Sequence, residues 1–119
     1  MREPIRDIGR LEHIVSAIEN IEEYSVNITE DMLYHDKLRT HAIIYNLQIV
    51  GEAVYKLTNE FKNSHQKTPW DVIEKMRHIL VHDYYRVNFE VLWDVIIHDL
   101  PSLKQEVRDY LSEANACNL

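Results

Sequence analysis

Cysteine is almost missing from the sequence: Cys117 is the single one among 119 residues. A disulfide framework and any zinc site built on thiolates are thereby excluded, and a reducing compartment is the plain inference. Glycine and proline are scarce as well, two and three residues. The many tight turns of an all-β domain are therefore lacking, and helices are expected. No apolar run approaches the roughly 20 residues of a bilayer-crossing helix, and the N-terminal "MREPIRDIGR" has no apolar core of a secretory leader. The expectation is a cytoplasmic protein with no membrane contact. A Gly-rich phosphate loop and a paired-aspartate nucleotidyl-transfer signature are both missing, so any nucleotide transfer has to come from another protein. Basic residues are outnumbered, 13 Lys and Arg against 20 Asp and Glu, for a formal net charge of -7. General adhesion to nucleic acid or to an anionic membrane is disfavoured, and only a local cationic site remains open.

What is present is an apolar complement of 45%, too large for a disordered chain and sufficient for one core, so a single domain over 1–119 is expected. Ile5, Ile8, Leu11, Val15, Ile18 and Ile21 recur at spacings of three and four with charged residues between them, which predicts an amphipathic helix over about 5–25. In "SVNITED", Asn27 or Thr29 ahead of Glu30 and Asp31 offers an N-cap for a second helix. That helix, read over Met32 to Phe61, carries two apolar stripes. One runs through Leu38, Ala42, Tyr45, Ile49 and Ala53, the other through Ile43, Leu47, Val50, Val54, Leu57 and Phe61. One stripe closes the core and the other needs a second protein surface, which predicts a homodimer. Gly51, inside this helix, costs about 0.5–1 kcal/mol relative to alanine and points to a close helix approach.

Thr68 before Pro69 reads as an N-cap followed by proline at the first helical position, opening a short helix through Trp70 and Ile73 to about residue 82. Asn88 is a further cap candidate. The last segment follows it through Phe89, Leu92, Trp93, Ile96, Leu100, Leu103, Val107 and Tyr110, and Pro101 should kink or restart it. The fold class expected is all-α, an antiparallel bundle of four to five helices that dimerises.

The densest chemistry lies in "MRHILVHDYY" at 76–85. Arg77, Val81 and Tyr84 share one helical file, and His78, His82 and Tyr85 the next. The five-residue step from Arg77 to His82 is about 140° on an ideal helix, so both reach one atom only if the helix loosens after Val81 or if two copies of the segment meet across a dimer axis. Basic residues also gather here, with Lys56, Lys62, Lys67, Lys75, Arg77 and Arg86 in the middle of an otherwise acidic chain.

The pattern R-x4-H-x-Y formed by Arg77, His82 and Tyr84, together with "NLQIVGEAVYKL" at 46–57, "TPWDVIEKMRHILVHDY" at 68–84 and "VNFEVLWDVIIHDLPSL" at 87–103, resembles the HEPN superfamily, and within it the HepT-like toxins that accompany minimal nucleotidyltransferases. The resemblance covers most of the chain. It implies a helical bundle whose dimer lines one cleft with two R-x4-H segments and cuts RNA without a metal or other cofactor. Arg77 would clamp phosphate with its planar fork, and His82 from each chain would serve as acid and base, with His78 assisting. The resemblance further implies that Tyr84 is a target for AMP transfer by the partner nucleotidyltransferase, acting as antitoxin, which would set an anionic nucleotide beside Arg77 and His82. Asp83 lies within the motif, and Glu52 of "GEA" is a candidate buried acid to pair with Arg77 and orient it. Association beyond a dimer is open.

Plain alternatives stand beside each role. The histidines suit a helix C-terminus electrostatically, Tyr84 suits a packed ring with a wet hydroxyl, and Glu52 suits solvent. His78-x3-His82 has the i, i+4 spacing of a helical metal pair that His41, His35 or Asp83 would complete. A rival of another class is a non-catalytic subunit that presents nucleotide or substrate to a separate nucleotidyltransferase, which the acidic net charge suits; a bare dimerisation module is the third.

Overall fold

The computed structural model describes residues 4–75 and 88–117, with side chains described over 6–75 and 88–115. α1 spans Pro4–Tyr24 and is the helix against which the others pack. Its core face is Leu11, Ile14, Ala17, Ile18 and Ile21, each no more than 2% exposed. Ile14 belongs to that face, whereas Val15, which the simple spacing favours, packs only partly buried at its edge. The exposed carbonyls at the end of α1 are satisfied by side chains. Ser25 Oγ donates to Ile21 O at 2.6 Å, and Arg39 reaches back to Tyr24 O at 2.7 Å and Val26 O at 2.6 Å. Asn27 then turns the chain with a φ of 59°, a left-handed conformation that asparagine tolerates.

The single second helix expected from Met32 to Phe61 is in fact three: α2 over Met32–His35, α3 over Lys37–Lys56 and α4 over Asn59–Ser64. Thr29, of the two cap candidates, accepts from Met32 N at 3.3 Å. Asp36 leaves the helical region and its carboxylate accepts from Arg39 N, which starts α3 afresh. Leu57 is extended, and Thr58 Oγ1 accepts from Phe61 N to start α4. The apolar periodicity runs through both breaks because Leu33, Leu57 and their neighbours all face the same core. Local caps therefore decide what the hydrophobic pattern leaves open.

The two stripes of α3 separate. Ile43, Leu47, Val50, Val54 and Leu57 are sealed in the core, whereas Leu38 is 86% and Tyr45 63% exposed, with Ala42 and Ile49 half-buried between them and Ala53 buried. Gly51 is buried. α3 runs antiparallel to α1: Asp7 meets Thr58 at one end of the pair, and Asn20 Nδ2 donates to the buried Asn46 at 3.1 Å farther along.

A helical turn over 70–75, labelled α5, is described up to its edge. Pro69 O accepts from Val72 N and Ile73 N, so Pro69 is the residue flanking the helix and Trp70 the first within it. The expected cap, Thr68, instead aims its hydroxyl at a different helix, to Glu106 and Tyr110. At the other edge, Asn88 Oδ1 accepts from Glu90 N and Val91 N, as its sequence position predicts, and opens α6 over Phe89–Asp94.

α6 continues without interruption through a π-helical turn, Val95–Asp99, into α7, Leu100–Cys117. Pro101 neither ends nor sharply restarts this helix. Proline has no N–H and crowds the carbonyl four residues earlier, and the widened turn, with Leu100 N donating to Val95 O, absorbs the misfit. α7 packs antiparallel on α1, where Lys104 meets Glu22 at 2.7 Å and Arg108 meets Glu19 at 3.0 Å. These solvent-facing pairs contribute little beside Leu100, Leu103 and Val107 buried under them, each worth about 1.5–3 kcal/mol. The described residues form no strand, and the fold is all-α. No described helix is long and apolar enough to cross a membrane.

Candidate functional site

Arg77, His78, His82, Asp83 and Tyr84 lie outside the described residues, as do Met76, Ile79 and Leu80. What the structure describes is the helical turn, α5, that precedes them in the chain. Trp70 and Ile73 are buried, and Trp70 Nε1 donates to His65 O at 3.0 Å. Phe61 stacks on His65 at 4.0 Å between ring centroids, and the edge of His65 meets Tyr110 at 4.6 Å. Thr68 lies beneath them and is 2% exposed. It donates to Glu106 Oε1 at 2.7 Å and therefore accepts from the Tyr110 hydroxyl. This aromatic and polar knot fastens α4, α5 and α7 together immediately before the motif. Sequence reading saw Trp70 and Tyr110 as core residues but had no means of finding Glu106 or His65, whose partners lie far away along the chain.

Glu52 is not the buried acid expected. Its position on α3 faces outward, and the side chain is exposed. It lines a groove of about 360 Å³ between α1 and α3, together with Arg10, His13, Tyr45, Gln48 and Lys56. The antiparallel pairing of the two helices builds this groove: Arg10 and His13 come from one wall, Tyr45 to Lys56 from the other. Arg10 is half-buried, and its Nε is buried with no hydrogen-bond acceptor. Unmet burial of a charged donor is costly, and such an atom is an exception among native polar groups. The signal in the sequence was present but unread: Arg6, Arg10 and His13 stand at i, i+4 and i+7 on one helical file.

Of the histidines proposed to complete a metal site, His35 is exposed and pairs with Asp31 at 3.6 Å. Among the described residues no three His, Cys, Asp or Glu gather as metal ligands.

Similarity to known proteins follows the same residues. The family model described as ribonuclease HepT-like matches residues 14–110, a span that takes in α3, the knot and the R-x4-H-x-Y segment. A Thermococcus cleftensis protein named probable ribonuclease HepT is 42% identical over 94 residues, 79% of this chain and 86% of its own length. A Caldanaerobacter subterraneus subsp. tengcongensis protein named putative RNase TTE0752 is 36% identical over 103 residues, 87% of this chain and 92% of its own. In Methanocaldococcus jannaschii, a protein named gamma-glutamylcyclotransferase and putative RNase MJ0434 is 37% identical over 103 residues, 87% of this chain but 46% of that longer protein. No solved structure matches the chain significantly. With a matching all-α fold and a family match over most of its length, the chain belongs to the ribonuclease HepT-like family of the HEPN superfamily.

Proposed function

We propose that the protein is a metal-independent endoribonuclease, the toxin of a toxin–antitoxin pair, acting on RNA in a cleft between two copies of the chain. The observation that carries this reading is that the family match over 14–110 encloses Arg77, His82 and Tyr84 in the order R-x4-H-x-Y. One His82 removes the proton of a ribose 2′-OH, whose oxygen attacks the adjacent phosphorus. The bond from phosphorus to the 5′-oxygen breaks, and the second His82 protonates the departing oxygen, leaving a 2′,3′-cyclic phosphate and a 5′-hydroxyl. Arg77 stabilises the charge that develops on the phosphoryl oxygens, and His78 assists. Asp83 and Glu52 are the supporting acids of this reading.

The bare stripe of α3, with Leu38 at 86% exposure, supports dimerisation, since an apolar residue so open gains from a second surface. Control of activity is assigned to Tyr84. Its hydroxyl attacks the α-phosphorus of ATP on a minimal nucleotidyltransferase antitoxin, pyrophosphate leaves, and the AMP obstructs and repels RNA phosphate.

A second reading, a non-catalytic subunit presenting nucleotide to a nucleotidyltransferase, is favoured by the net charge of -7, which repels RNA at long range. Cleavage of total cellular RNA by the purified chain in excess EDTA decides between them, after mass spectrometry confirms an unmodified Tyr84. Loss of cleavage in His82→Ala alone is the expected result. Intact RNA with unmodified, dimeric protein refutes the ribonuclease reading.

A further inference from the structure

We propose that an apolar ridge along the α6–α7 rod is a docking surface for an amphipathic helix of another protein, one whose apolar face is bordered by Lys and Arg. The ridge lies outside the R-x4-H-x-Y segment, and the ribonuclease reading is not needed for it.

The π turn makes the ridge. Phe89, Trp93, Ile97 and Pro101 follow one another at four-residue steps. On an unbroken α-helix each such step advances about 40°, so Phe89 and Pro101 would stand about 120° apart and share no face. The turn Val95–Asp99, where Leu100 N donates to Val95 O five residues back, takes more residues per revolution and removes much of that drift. The turn that accommodates Pro101 thus also aligns the four side chains in one row, about 18 Å long at 1.5 Å per residue. At its α6 end Tyr34 of α2 joins the row, its ring 4.5 Å from that of Phe89. Leu92, Val95, Ile96 and Leu100 fill the core beneath. The row at their margin is only partly covered: Phe89 and Trp93 are half-buried, Ile97 is 44% and Tyr34 51% exposed.

The charge beside the ridge says what covers it. Each ridge residue is followed by an exposed polar one, Glu90, Asp94, His98 and Ser102. Residues 88–103 contain Glu90, Asp94 and Asp99 but no Lys or Arg. Nucleic acid and anionic membranes are therefore repelled. A second copy presenting the same ridge about a two-fold axis would set acidic margin against acidic margin, and like charges oppose association. A partner helix with large apolar residues on one face and Lys or Arg at its border meets both demands. Its apolar row covers Tyr34, Trp93 and Ile97, and its cations reach Glu90 and Asp94. Asp94 is held only loosely by His98, 3.9 Å away, with both side chains over 70% exposed, so a stronger cation can take it.

The test uses the full chain and a synthetic amphipathic Leu/Lys peptide of about 18 residues without tryptophan, with its Leu/Glu counterpart as control. Acrylamide quenching of tryptophan fluorescence locates the docking. Trp70 is buried and Trp93 half-exposed, so the Leu/Lys peptide should lower quenching by covering Trp93, and the Leu/Glu peptide should not bind. Anisotropy of fluorescein-labelled peptide gives the affinities. Ile97→Ser should weaken binding about tenfold. Glu90→Gln with Asp94→Asn should weaken it about tenfold and flatten its salt dependence. Glu12→Gln with Glu113→Gln, the same loss of charge at exposed positions on α1 and near the end of α7, should leave affinity within about twofold. Circular dichroism and sedimentation accompany each variant, and Ile97, being exposed, tests the ridge without entering the core.

A Leu/Lys peptide that does not bind the parent, or that binds without protecting Trp93, overturns the proposal. So does binding indifferent to Ile97→Ser, or equal losses in the two charge-matched pairs, which would mean attraction to the acidic molecule as a whole. Loss of the dimer in Ile97→Ser overturns it too, making the ridge a contact between copies. The ribonuclease reading stands or falls separately, on cleavage in EDTA.

Discussion

Asp7, in the first turn of α1, accepts both the backbone N–H of Thr58 at 2.9 Å and its hydroxyl at 2.6 Å, across 51 residues of sequence. The same Thr58 hydroxyl accepts from Phe61 N to start α4. One carboxylate, 7% exposed, thus fixes where the long third helix ends and the next begins. Asp7→Ala leaves two part-buried donors of Thr58 without their acceptor and should cost about 1–3 kcal/mol in urea unfolding. Thr58→Ser, which keeps both groups, should cost less than about 1 kcal/mol. A double-mutant cycle with Thr58→Val should show coupling of at least about 1 kcal/mol; additive effects would mean the pair does not act as a unit.

The Thr68 hydroxyl joins Glu106 and Tyr110 just ahead of α5. Thr68→Val deprives Glu106 of a donor and Tyr110 of an acceptor, and should cost about 2–3 kcal/mol. Tyr110→Phe removes one bond from the set and should cost about 1 kcal/mol. Equal losses in chemical denaturation would contradict the donor order derived above. In the ribonuclease assay Thr68→Val should also lower cleavage more than Tyr110→Phe, since the turn it anchors precedes Arg77 in the chain.

Gly9 sits within α1, and a β-carbon added there meets nothing within 4 Å. Its backbone is helical, so Gly9→Ala removes the entropic penalty of glycine without a clash. Stability should rise by about 0.5–1 kcal/mol, read as a higher melting temperature. A decrease would show that another molecule closes on this position.

Leu38, the most open large apolar residue described, heads the bare stripe of α3. Leu38→Glu should leave the monomer folded, because nothing in the core depends on this side chain. In sedimentation it should weaken self-association at least tenfold, because a charge would be buried unpaired in the contact. An unchanged dimer would move the interface elsewhere on the surface.

The long periodic segments were legible in the sequence because burial repeats at the helical period: α1 and the α6–α7 rod follow their apolar spacing closely, and Asn88 caps as its residue type predicts. The breaks at Asp36 and Thr58 were not legible, since a hydrophobic stripe continues across a cap whenever both flanking helices face one core. Pro101 shows a different limit. Its missing N–H is certain from sequence, but whether the chain answers with a break or a widened turn depends on how firmly Val95, Ile96 and Leu100 are held from both sides.

The sequence by itself determined an all-helical chain and the resemblance that names its family, because these depend on composition, period and local order of residues. Tertiary structure alone decided that Glu52 faces a groove, that Arg10 and His13 stand across it from Tyr45, and that Thr68 serves Glu106 and Tyr110 in place of its own helix. Those are meetings between residues 30 or more positions apart. Nothing local encodes such a meeting; it follows from the antiparallel docking of α1 with α3 and α7, which the burial of their shared apolar faces selects.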